Sequence, residues 1–245
     1  MLISVHMPKT AGSSFLASMR QQFGDALLTD YGDRPINRSG MTRNSHALAA
    51  SLWHGISAGK FAGVECVHGH FMPLKYNLLG WRAPLQFVTW LREPVERLGS
   101  HYHYWMRHYD PHDSGELHRR VVEEQWSLER FCLGPELQDT YCKFLWGFPL
   151  DRFGFVGITE HYDQDLARFA SDILGNPIEL RRDNVNPERE RNSYFPDQGL
   201  RREIEAHHAR DMMLYRQALA NRSERLDQSQ ASAPLAGRVS PGPAK

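Results

Sequence analysis

Short apolar runs alternate with longer stretches of helical period along this chain. Leu2-Ile3-Ser4-Val5 is β-prone and short, which predicts a buried strand. After a polar loop, Phe15, Leu16, Met19 and Phe23 recur at helical spacing up to Gly24. Leu48, Leu52 and Ile56 share one face of a helix predicted over 46–58. "GVECVHGH" (63–70) reads as a second strand ending near His68, and "LQFVTWL" (85–91) as a third. A helix follows at once. Pro94 suits its first turn, and Val95, Leu98, Tyr102, Met106 and Tyr109 form its apolar stripe. Shorter helices are expected at 116–126, 127–133 and 137–146, and "FGFVGI" (153–158) as a fourth strand. A helix at about 163–174 turns Leu166, Phe169, Ala170 and Ile173 inward and stops at Gly175. A last helix spans about 198–219. The end of the chain, "NRSERLDQSQASAPLAGRVSPGPAK", buries too little apolar surface to offset its ordering entropy. The domain is therefore expected over 1–222 and a disordered tail over 223–245.

Strands alternating with helices predict an α/β fold in three layers, a central parallel sheet flanked by helices. Ligands of such folds sit beyond the carboxyl ends of the strands. The chemically informative residues fall there: the 6–14 loop, His68 and His70, Arg92, and Thr159-Glu160.

Composition narrows the class. A chain of 245 residues, 41% hydrophobic and 24% charged, suits one sizeable core. Lys+Arg and Asp+Glu both number 29, so the zero formal charge argues against nucleic acid as a partner and leaves room only for a local basic site. No run approaches the roughly 20 apolar residues of a membrane span, and the second residue already reads as strand rather than signal peptide. A cytoplasmic protein is expected. Cys66, Cys132 and Cys142, odd in number and far apart, suggest reduced, packed thiols. Trp81, Trp90 and Trp105 are expected mostly in the core.

"HMPKTAGSSF" (6–15) joins the first strand to the first helix. Free backbone N–H groups and the positive helix end suit an anion there. Gly12 permits close approach, Lys9 adds a mobile charge, and Thr10, Ser13 and Ser14 add hydroxyls. The competing reading is a turn whose hydroxyls cap the helix. The loop is not a Walker A loop, because its lysine precedes the glycine. "LREPVERLGS" repeats the strand-turn-helix architecture, with Arg92 at the strand end and Ser100 two helical turns on. Arg92 suits bidentate phosphate binding, or else pairs with Glu93 or Glu96. Two anion sites on neighbouring strands suggest a ligand with two separated phosphates.

"HMPKTAGSSF" followed by "FVTWLREPVERLGSHYHY" resembles the two nucleotide-binding segments of sulfotransferases, closest in type to the carbohydrate group that includes heparan sulfate 2-O-sulfotransferase. "VHGHF" (67–71) and "FVGITEHYDQDLARF" (155–169) are similar to the family in the same order, and the resemblance covers roughly 2–220. It implies a P-loop-like sulfotransferase fold and 3′-phosphoadenosine 5′-phosphosulfate (PAPS) as sulfate-donor nucleotide. It implies that Lys9 contacts the donor sulfate and its bridging oxygen. Thr10, Ala11, Gly12, Ser13 and Ser14 would wrap the 5′-phosphate, largely through backbone N–H groups, and Arg92 and Ser100 would bind the 3′-phosphate. His70 would be the general base, with His68 orienting it or touching the acceptor. "RRDNVNPERERN" (181–192) resembles the loop that closes over the nucleotide, with Arg189 and Arg191 as candidate contacts, and one aromatic residue is free to stack on adenine. Glu160 could orient a base or cap the next helix.

The chemistry fits these residue types. Sulfuryl transfer resembles phosphoryl transfer, in which positioning and electrostatics do most of the work. A lysine beside the bridging oxygen stabilises the charge that develops there. A histidine titrating near neutrality suits removal of the acceptor proton. No metal is expected: Cys66, His68 and His70 lack a second ligand cluster, and "HYHY" (101–104) and "HH" (207–208) are poor clips. Eukaryotic carbohydrate members typically carry a Golgi membrane anchor. A first strand starting at residue 2 points instead to a compact bacterial enzyme whose acceptor is a sugar, a lipid-linked glycan or a small hydroxylated metabolite. The acceptor pocket is expected from the 31–60 and 107–140 regions. The rival readings are a nucleotide or small-molecule kinase with an atypical phosphate loop, which requires magnesium and ATP, and a nucleotide-binding protein without turnover.

Overall fold

The computed structural model of the chain describes residues 1–81, 84–178 and 193–231. In chain order its elements are β1 (Leu2–Val5), α1 (Gly12–Phe23), β2 (Leu27–Asp30), α2 (Gly40–Ile56), β3 (Cys66–Gly69), β4 (Gln86–Leu91) and α3 (Pro94–Arg107). They continue with α4 (Glu116–Glu123), α5 (Leu128–Leu133), α6 (Thr140–Phe144), β5 (Phe155–Ile158), α7 (Tyr162–Phe169), α8 (Gln198–His207) and α9 (Ala209–Ala231). The five strands form one sheet in the order β2-β3-β1-β4-β5, with every pairing parallel. The fold is thus α/β, with a central parallel sheet between helices. Each of β1, β3 and β5 is buried at all four residues, which is why their apolar runs do not alternate.

One strand has no counterpart among those expected. β2, Leu27-Leu28-Thr29-Asp30, is a half-exposed edge strand without the long apolar run of the others. The register aligns Val5 with both Gly69 and Thr89, so His6, His70 and Arg92 leave the sheet at nearly the same level. The loops after β1 and β4 flank the point where the strand order reverses, the usual ligand crevice of an open parallel sheet.

Several expectations need correction. Leu52 is 59% and Ile56 78% exposed, and Leu48 is exposed as well, so the apolar face read on α2 lies outward. The helix packs on Pro73–Trp81 through other positions, burying Ala47 and Ser51. Trp81 is 82% exposed, whereas Trp90 and Trp105 are buried as expected. The expected helix at 198–219 is two helices. His208 breaks it by turning into the interior, where Nε2 lies 2.7 Å from the Cys132 carbonyl and Nδ1 accepts from the Asp139 N–H at 3.2 Å. α9 runs on to Ala231, past the expected start of the tail. Arg222 pairs with Asp165 at 2.8 Å and Arg225 donates to the Val156 carbonyl at 2.9 Å, which anchors polar sequence that has little apolar surface. The rest of that expected tail lies outside the described residues. Cys66, Cys132 and Cys142 are free thiols, each pushed up to about 12 by burial. No helix among the described residues is long and apolar enough to cross a membrane.

Candidate active site

A cleft of about 1680 Å³ opens at the carboxyl ends of the strands. Lys9, Ala11, Gly12, Ser13, Ser14, His70, Arg92 and Ser100 all line it. Candidate residues from three separate segments of the sequence therefore meet in one place.

The first loop is bent by two non-glycine residues with left-handed backbones, Lys9 at φ 68° and Ala11 at φ 63°. Such conformations are uncommon outside glycine and cluster at functional sites. Ala11 is the N-cap of α1 and offers no side-chain oxygen to the helix, so capping does not explain the loop. The Thr10 hydroxyl, expected as a donor beside those of Ser13 and Ser14, points away from the cleft. The residue is buried, and its hydroxyl turns inward to donate to the Met7 carbonyl at 2.8 Å, which stiffens the loop. Gly12 is required by a neighbour. A Cβ there would lie 1.6 Å from Nε2 of His6, so the imidazole occupies the space a side chain would take. The Lys9 ammonium reaches across to sit 3.8 Å from the centre of the Tyr104 ring on α3. Burial, and then Arg92 and Arg107, lower its pKa to about 8.

Arg92 stands beside that loop, with Nη1 3.5 Å from the Lys9 carbonyl. The acids of its own segment are engaged elsewhere. Arg201 on α8 pairs with Glu93 at 3.1 Å and Glu96 at 3.2 Å, and Glu93 also caps α3 by accepting from the Glu96 N–H at 2.7 Å. No carboxylate pairs with Arg92 among the described residues, which leaves its guanidinium to the cleft. The backbone of Arg92 is held by Tyr141 on α6, whose hydroxyl accepts from the Arg92 N–H at 2.9 Å and donates to its carbonyl at 2.6 Å. Glu160 accepts from the Glu93 N–H at 3.0 Å and from the Tyr215 hydroxyl at 3.1 Å. It ties β5 to the entrance of α3, and neither of these bonds reaches His70.

His70 Nδ1 lies 2.5 Å from the His6 carbonyl, which can only accept. The proton is therefore on Nδ1 and the lone pair on Nε2. Burial holds the imidazole below its ordinary pKa, with the His6 carbonyl opposing in part, so it is neutral at pH 7. His68 is a correction. It does not line the cleft: it is buried beneath His6, with ring centres 5.2 Å apart, and its Nδ1 bonds the Ser4 hydroxyl at 2.8 Å. Burial, then His70 and Arg20, lowers its pKa to about 3.

Other cleft residues were not foreseen. His6 bonds the Tyr31 hydroxyl at 3.1 Å, and Tyr31 sets its ring edge-on to His70, centres 4.8 Å apart. His101, Tyr104 and Trp105 share the cleft face of α3 with Ser100. The signal was present in "SHYHYW", since spacings of four and one place Ser100, Tyr104 and Trp105 on adjoining faces of one helix. Arg189 and Arg191 lie outside the described residues. Ser193 and Tyr194 line the cleft, and both engage Glu96, with Ser193 Oγ donating at 2.5 Å. Gly99 admits Tyr194: a Cβ there would meet the Tyr194 side chain at 2.5 Å.

Asp139, His208 and Asp211 converge closely enough to hold a metal ion, but outside the cleft. Asp211 accepts from the Tyr141 and Cys142 N–H groups at 2.9 and 3.1 Å, so it caps the start of α6. No protein-family model matches the chain, and no curated protein matches it.

Proposed function

We propose that the protein is a sulfotransferase moving a sulfuryl group from PAPS to a hydroxyl of a carbohydrate or small-molecule acceptor. One observation carries the reading. Two cationic strand-to-helix loops, bearing Lys9 and Arg92, adjoin in a single cleft that also contains a neutral histidine with a free ring nitrogen. The cleft, about 1680 Å³, exceeds the roughly 300–1,000 Å³ of a common ligand pocket and has room for a nucleotide and an acceptor together.

In this reading Nε2 of His70 takes the proton from the acceptor hydroxyl as its oxygen bonds to sulfur. The bond between sulfur and the bridging phosphate oxygen breaks, and the electron pair leaves with 3′-phosphoadenosine 5′-phosphate. Lys9 stabilises the charge that grows on that oxygen, and the N–H groups at the start of α1 hold the 5′-phosphate. Arg92 and Ser100 hold the 3′-phosphate. The hydroxyl side chain expected from Thr10 has no part in this. The test is transfer of labelled sulfate from PAPS to a panel of sugars and hydroxylated metabolites. His70→Ala is expected to lower turnover by ~10²- to 10⁴-fold with nucleotide affinity unchanged. Undiminished turnover would exclude His70 as base, and failure to bind the nucleotide would overturn the reading as a whole.

A further inference from the structure

A second cavity, of about 430 Å³, adjoins the cleft and shares Ile36 and Asn37 with it. Its walls come from the segment leading into α2, from α4 and from α6. Four cations line it, Arg38, Arg43, Arg120 and Lys143, against two carboxylates, Glu116 and Glu136. Ion pairs take up one group of each sign and leave the excess of cations in place. Arg130 holds both oxygens of Glu136, at 2.9 and 2.7 Å, and Glu124 engages Arg120 at 3.1 Å.

Arg43 and Lys143 have no carboxylate within ion-pair distance among the described residues. Nε of Arg43 is buried and lacks a hydrogen-bond partner among the described residues. Among the described residues Lys143 Nζ donates only to main-chain carbonyls, Pro135 at 3.3 Å and Glu136 at 2.9 Å. Burial first, and Arg43 second, holds the Lys143 ammonium below its ordinary range, with Asp211 and Asp139 opposing in part. Neighbouring, partly buried like charges are unfavourable, and an anion between them relieves both desolvation and repulsion.

The position gives that anion a partner. Lys143 precedes Phe144 on α6, and Phe144 lines the main cleft with its ring centre 6.5 Å from that of His70. We propose that this cavity binds a single fixed anionic group, a carboxylate, sulfate or phosphate ester, on the same small molecule whose hydroxyl faces His70. Its size suits one charged group and its adjoining ring, rather than a run of charges along a polymer. Naming that molecule the acceptor rests on the sulfotransferase reading; the anion site does not.

Matched probes separate the two claims. Methyl glucuronide against methyl glucoside, and glucose 6-phosphate and glucose 6-sulfate against glucose, are titrated by calorimetry into the protein with and without 3′-phosphoadenosine 5′-phosphate. At least one charged probe is expected to bind about tenfold or more tightly than its neutral partner, as charge-assisted hydrogen bonds allow. The pair that discriminates tells carboxylate from phosphate or sulfate. Arg43→Gln and Lys143→Gln should each remove most of that preference and leave nucleotide affinity unchanged. Equal binding of charged and neutral probes, no binding of any charged probe, or a preference that survives Arg43→Gln overturns the anion site. A sulfated tetrasaccharide binding far more tightly than every monosaccharide probe also overturns it, in favour of an extended polyanion groove. Loss of nucleotide binding alone counts against the sulfotransferase reading and leaves the anion site standing.

Discussion

The phenol of Tyr141 satisfies both backbone groups of Arg92, accepting from its N–H at 2.9 Å and donating to its carbonyl at 2.6 Å. Arg92 lies just past the end of β4, where sheet pairing no longer serves its backbone. A fully buried side chain from α6 takes over, and so fixes the point from which the guanidinium projects. Tyr141→Phe is expected to leave two polar groups unpaired, at about 1–3 kcal/mol of stability. Preference for a 3′-phosphorylated nucleotide should fall along with stability. A denaturant titration and a nucleotide titration of the same variant check this; an unchanged preference would mean that Arg92 needs no such anchor.

Gly12 and His6 should behave as one unit. A methyl group at Gly12 would collide with the His6 ring, so Gly12→Ala is expected to cost about 1–3 kcal/mol and to weaken nucleotide binding. In a His6→Ala background the methyl has room, and its cost should shrink. A double-mutant cycle by chemical denaturation measures the coupling, and additive effects would refute the contact.

Lys9 titrates at about 8 because burial and the neighbouring Arg92 and Arg107 disfavour its charge. A bound phosphate favours that charge and raises the pKa. Binding near pH 8 should therefore take up a proton, and affinity should fall as pH rises beyond that value. Calorimetry in buffers of different ionisation enthalpy reads the uptake directly. Lys9→Met should abolish it.

His68 makes stability depend on acid. Its folded pKa is about 3, below the ordinary value of 6.5, so the unfolded chain binds the extra proton between those limits. The stability associated with neutral His68 is present above pH 6.5 and is lost as pH falls through that window. His6, lowered by burial and by His70 and His68, acts in the same direction. Thermal melts from pH 7 to pH 4 should show a steep decline. His68→Phe should flatten the decline while lowering stability at neutral pH, because Ser4 loses its partner. A slope unchanged in the variant would show that His68 is not the titrating group.

Much of the fold was legible because its central strands are buried on both faces and leave unbroken apolar runs such as "LISV" and "FVGI". β2 was not, because an edge strand needs no such run. The outward apolar face of α2 misled for a related reason: periodicity gives a face, but not what covers it. Lys9, His70 and Arg92 were legible because they follow strands, and parallel register brings those ends together. The inward turn of the Thr10 hydroxyl and of the His68 ring was not legible, because a residue's place in a loop or near a strand end does not say which way its side chain turns. His6, Tyr31 and Tyr141 act through contacts 25 to 64 residues apart in sequence, and no local pattern announces those.

The central claim is that the Lys9 and Arg92 loops hold two phosphates of one nucleotide. Calorimetry without magnesium, comparing 3′-phosphoadenosine 5′-phosphate with AMP and ATP, addresses it most directly. Strong preference for the 3′-phosphorylated ligand, lost in Arg92→Ala, is the result expected. No binding, or a preference for ATP that appears only with magnesium, would contradict the claim and favour a kinase.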